Sequence, residues 1–81
     1  MITIQKARNI AYSWHGGQWT SLYSFASTGS VYGEDHRSGI ISEIILCKAV
    51  ASEMSKADVR ELEQLRRYIE TAPVVRKPQT I

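Results

Sequence analysis

Apolar side chains recur along residues 40–54 as Ile40, Ile44, Cys47, Ala51 and Met54, the three- and four-residue spacing of one helix face, flanked by Ile41 and Ile45 on one side and Val50 on the other. Glu34 and Asp35 precede the stripe and suit the positive end of a helix dipole, so the pattern predicts a helix over 35–54. The stripe is wide, which predicts cover on two sides, with a homodimer through the Ile40–Met54 helix as one way to supply it. The same period returns in Val59, Leu62, Leu65, Ile69 and Ala72. Ser55 and Asp58 form an S-x-x-D capping arrangement ahead of it, and Pro73 disfavours helical geometry at Ala72, so a second helix is expected over 56–72. Its outer side carries Arg60, Glu63, Arg67 and Glu70. The pairs Glu63–Arg67 and Arg66–Glu70 are spaced i, i+4, each worth roughly 0.2–0.5 kcal/mol. A connection of two or three residues would fold the two helices into an antiparallel hairpin. Residues 73–81, with two prolines, read as a flexible tail.

The first third of the chain carries another pattern. Residues 1–32 hold six of the seven aromatics, and Gly16-Gly17 offers two successive positions that tolerate positive φ, a hairpin signal. With the glycines as the turn, Trp14 faces Trp19, Ile10 faces Tyr23 and Arg8 faces Phe25, and one face collects Ile10, Tyr12, Trp14, Trp19, Tyr23 and Phe25. Ile2 and Ile4 would add a third short strand. The chain therefore reads as a single small α+β domain over 1–72: an N-terminal antiparallel β-hairpin region, 1–32, packed on a C-terminal two-helix hairpin. One competing pattern runs through 19–28, where Trp19, Leu22, Tyr23 and Ala26 also fall at i, i+3, i+4 and i+7, with Gly29 placed as a C-cap. A helix there would make the domain mainly α. The preponderance of Ser, Thr and aromatics, without Glu, Lys or Gln to support a helix, favours strand.

Composition narrows the functions. With 81 residues, 43% hydrophobic and 22% charged, the chain has the balance of a globular domain with a modest core. The net charge of +2 is too small to mark a nucleic-acid binder, but it is unevenly spread. Residues 1–33 contain Lys6 and Arg8 and no acid, whereas every Asp and Glu lies between Glu34 and Glu70. Cys47 is the sole cysteine, so an internal disulfide is excluded and a reducing, cytoplasmic location is expected. The N-terminal residues lack the pattern of a signal peptide, and no apolar run is long enough to span a bilayer.

Little in the chain suggests catalysis. His15, His36, Cys47, Glu34, Asp35 and Glu43 lack metal-ligand spacing, and Cys47 sits within an apolar stripe, where a thiol behaves as a small hydrophobe. Gly16-Gly17 is no phosphate loop. The expectation is a non-enzymatic protein without a cofactor. The aromatic region fits three roles: core, an anchor in a protein interface, or a stacking platform for single-stranded bases. The candidate partner-binding residues are Lys6, Arg8, Trp14, His15, Trp19 and Tyr23. Arg60, Arg66 and Arg67 each have a glutamate nearby, which favours a self-paired solvated face over DNA recognition.

The segment Trp14-His15-Gly16-Gly17-Gln18-Trp19, continuing through Leu22-Tyr23-Ser24-Phe25-Ala26-Ser27-Thr28-Gly29, resembles small proteins carried by bacteriophages and other mobile elements. In size and single-domain build the chain most resembles the anti-CRISPR inhibitors. These share no common sequence pattern, so the resemblance carries over no functional residue. It implies a protein of the host bacterial cytoplasm that blocks a larger protein or ribonucleoprotein complex, such as a CRISPR effector. Its mildly basic charge points to occlusion of a protein surface rather than imitation of DNA. The alternative is a nucleic-acid-binding accessory or regulatory protein of a mobile element.

Overall fold

Ala7, Ile10, Ala11 and Trp14 fall at i, i+3, i+4 and i+7, and Thr3 stands ready to cap them, its hydroxyl accepting the Lys6 amide at 3.1 Å. The result is a helix, α1 (Ile4–Trp14), in a computed structural model that describes residues 2–51 and 53–76. Three more helices follow: α2 (Thr20–Thr28), α3 (Glu34–Val50) and α4 (Lys56–Thr71). The expected N-terminal β-hairpin is thus absent, and so is the α+β class: the domain is mainly α, with no strand among the described residues beyond an isolated parallel bridge between Val31 and Val74.

The physical reason lies in what a lone hairpin would leave unburied. As a helix, α1 turns Ala7, Ile10 and Ala11 fully inward, and α2 does the same with Leu22, Phe25 and Ala26. Gly16 and Gly17 do adopt positive φ, 57° and 78°, but they reverse the chain between two helices rather than between two strands. Gly29 ends α2 in the left-handed region at φ 73°, its N–H donating to the Phe25 carbonyl at 2.7 Å. The helical pattern at 19–28 therefore prevails over the residue preferences for strand.

Each helix packs on two neighbours, α1 on α2 and α4, and α3 on α2 and α4, so α1 and α3 occupy opposite corners. Phe25, Leu22, Ile40, Ile44, Leu62, Leu65, Ile69 and Val31 are fully buried between them. The connections 15–19, 29–33 and 51–55 are five residues each, the last longer than expected because α3 stops at Val50. The Ser55–Asp58 capping box forms as the sequence predicts, with the Asp58 amide donating to Ser55 Oγ at 3.0 Å. Val59 stays exposed, while Leu62, Leu65, Ile69 and Ala72 are buried. After α4 the chain does not leave the domain at once: Val75 N–H donates to the Val31 carbonyl at 2.8 Å. Of the tail expected over 73–81, residues 77–81 lie outside the described residues.

Candidate functional site

Where α1 ends, the left-handed glycines bring His15 back against its own turn, and its Nδ1 accepts the Gly17 amide at 2.9 Å. In the neutral imidazole the ring hydrogen then sits on Nε2. Tyr12, one helical turn before His15, meets the imidazole edge to face at 5.3 Å between centroids. Tyr23 reaches it from α2 in the same manner at 5.1 Å. His15 is thereby held between two tyrosines from two helices, and both are open to solvent, Tyr12 at 66% and Tyr23 at 53% exposure. Beside them lies a hollow of about 200 Å³ lined by His15, Gly17, Trp19, Thr20 and Tyr23. No Asp, Glu, Lys or Arg is among these lining residues.

The α2 side of this knuckle is fixed from a distance. Trp19, at the N-cap, supplies no side-chain bond to the first amides of α2. Glu43 of α3 does so instead: Leu22 N–H donates to one carboxylate oxygen at 2.8 Å and Ser21 N–H to the other at 3.1 Å. Gly39 permits this approach, since a Cβ there would lie 3.0 Å from Ser21 Oγ.

The structure brings His15, Trp19 and Tyr23 together and distributes the other candidates elsewhere. Trp14 is partly buried against the core, as is Trp19, so the solvent-facing aromatics are tyrosines and not tryptophans. Arg8 turns away from the turn: its Nε donates to the Ala26 carbonyl and its Nη2 to the Ser27 carbonyl, each at 3.0 Å. It caps the C-terminal end of α2. Lys6 is exposed nine residues before His15, about 13 Å along the helix axis. Tyr12 belongs to the knuckle although it is not among the candidate residues; its i, i+3 spacing to His15 becomes a signal only once 4–14 is helical.

Several other reactive groups are occupied or closed off. Cys47 is buried with its Sγ 3.7 Å from the Trp14 carbonyl, and burial together with the Glu43 carboxylate pushes its thiol pKa up. Arg37 grips Glu34 with two nitrogens and donates to the Ile69 and Glu70 carbonyls at 2.7 and 2.9 Å, capping α4. Glu63 takes Lys48 and Arg66 rather than Arg67, and the two hydrogen bonds hold its carboxyl at about 2, well below the usual carboxylate range. Arg66 also pairs with Glu70 at 3.3 Å, as the i, i+4 spacing predicts. Among the described residues no three His, Cys, Asp or Glu side chains converge as metal ligands, and no helix is long and apolar enough to cross a membrane. Comparison of the chain with family models, with curated proteins and with solved structures finds no match in any of the three.

Proposed function

We propose that the chain is a non-catalytic binding protein that acts by occupying a surface of a larger protein complex, with the Tyr12–His15–Tyr23 knuckle as its anchor. One observation carries this reading: two exposed tyrosines are clamped by a histidine that the turn itself orients, beside a hollow large enough for one side chain. Aromatic side chains that are already ordered lose little freedom on binding, which is why they dominate interface energetics. Arg8, one of the candidate partner-binding residues, is left out of the anchor because its guanidinium serves α2. The same commitment takes Arg8 away from the cations that a nucleic-acid partner would meet beside the aromatics.

The resemblance to anti-CRISPR inhibitors makes a bacterial effector complex the first partner to try. A photoreactive phenylalanine analogue at position 12 or 23, in bacterial cells expressing the chain, should give a discrete cross-linked adduct identifiable by mass spectrometry. Adducts from position 67, on the outer face of α4, with none from 12 or 23 would place the interface elsewhere and defeat the proposal.

A further inference from the structure

The Gly16-Gly17 turn owes little to packing: both glycines are exposed, and a Cβ at Gly17 would meet no atom within 4 Å. Hydrogen bonds hold it. The His15 carbonyl accepts the Gln18 amide at 3.1 Å and the Trp19 amide at 3.0 Å, and the Gly17 amide donates to His15 Nδ1 at 2.9 Å. That last bond depends on the charge of the ring. A neutral imidazole keeps one acceptor nitrogen, whereas an imidazolium has none and would set N–H against N–H.

We propose that His15 is a proton-sensitive latch on this turn: the neutral ring holds Gly17 in place, and protonation releases it. Histidine is the side chain that ordinarily changes charge between about pH 5 and 8. The group that moves is the Gly17 amide, because the ring is gripped by Tyr12 and Tyr23 while the glycine has no such neighbours. A cation between two tyrosines gains from their π-faces, which keeps the ring where it is as the glycine leaves. His15 and Gly17 both line the hollow, so its wall changes when they separate. Charges elsewhere are committed. Tyr12 of α1 and Tyr23 of α2 are the ionisable side chains against the imidazole. From α3, Cys47 donates to the Trp14 carbonyl and Glu43 spends both oxygens on α2 amides. α4, which packs on α1, holds Asp58 in its capping box and Glu63 on Lys48 and Arg66. With Glu63 held at about 2, that pair keeps its charges while a histidine titrates. What the latch does to a partner rests on the knuckle being the anchor; the latch itself is read in the isolated chain.

NMR of the full chain between about pH 7.5 and about pH 5, following the His15 ring signals and 15N relaxation, tests the latch. The order parameter of the Gly17 amide should fall from about 0.85 to below about 0.6 as the ring takes its proton. The other histidine, His36, stands against Tyr32 at the start of α3, so changes it causes are read there. His15→Asn keeps an acceptor for the amide two residues on, as in an Asx turn, but takes no proton, so Gly17 should stay ordered at both pH values. His15→Ala offers no acceptor, so Gly17 should be loose at both, with the helix content by circular dichroism unchanged. A ring still neutral at the acid end overturns the proposal. So does a Gly17 amide whose order is unchanged when the ring is protonated, or one that loosens with acid in His15→Asn as it does in the wild type. Cross-links from positions 12 and 23 report on the anchor and not on the latch, so either can fail alone.

Discussion

Glu43 illustrates how a single side chain can serve a helix to which it does not belong. Its two oxygens take the amides of Ser21 and Leu22, at a helix start where Trp19 offers none. Replacing an N-cap acceptor costs about 1–2 kcal/mol, so Glu43→Ala should lower unfolding free energy by that amount in a urea titration. Arg8 plays the corresponding part at the other end of α2. Arg8→Met should lose about 1 kcal/mol of stability and leave partner affinity unchanged, the opposite of what an interface residue would do. These roles are illegible in sequence because the carboxylate and the amides it serves lie 21 and 22 residues apart. The Ser55–Asp58 box is legible for the converse reason, since both partners lie within one turn. Cys47 is legible too, as a thiol on an apolar stripe; Ellman's reagent should label it only as fast as the domain unfolds.

At the scale of elements, α2 shows why the N-terminal third reads as strand. Its residues, Thr-Ser-Leu-Tyr-Ser-Phe-Ala-Ser-Thr, are weak helix formers apart from Leu22 and Ala26, and its stability comes from Glu43 at one end, Gly29 and Arg8 at the other, and burial of Leu22 and Phe25. None of these except the glycine and the apolar spacing is local. Gly29 is therefore a sensitive position. An added Cβ would meet Arg8 Cδ at 3.0 Å and Ile4 Cδ1 at 3.3 Å in a left-handed residue, whereas at Gly17, also left-handed, it meets nothing. Gly17→Ala should cost about 1 kcal/mol and Gly29→Ala distinctly more, compared by thermal unfolding of the two variants. The α3–α4 pair has its own signature in Glu63, whose carboxyl lies near 2 in the folded chain against an ordinary 4.5. A depressed carboxylate stabilises the fold above the ordinary value and ceases to as pH falls through the depressed one. The stability difference between wild type and Glu63→Gln should accordingly be full at pH 7 and shrink between 4.5 and about 2. A difference that stayed constant across that interval would mean that Lys48 and Arg66 do not set the protonation of Glu63.

For the whole molecule, the uneven charge of the sequence takes on a different meaning once the helices close around their core. The acid-free third is not a basic platform, because Arg8 is spent within it and the first acid to reach it, Glu43, arrives from α3. What that third offers outward is aromatic: Tyr12 and Tyr23 about His15, with the two tryptophans drawn towards the core. Aromatic residues in the first third were visible as candidates, but which of them face solvent depends on helical rather than alternating phase. The opposite corner, α3, leaves Ile45, Leu46 and Val50 exposed. The proposal that the knuckle is an anchor is tested most directly by titrating the cross-linked partner, once identified, with wild type and with the Tyr12→Ala/Tyr23→Ala double variant. Both side chains are more than half exposed, so the variant should keep the wild-type unfolding midpoint and bind at least ~10-fold more weakly, the loss expected of interface anchors. Unchanged affinity in a folded double variant would contradict the account.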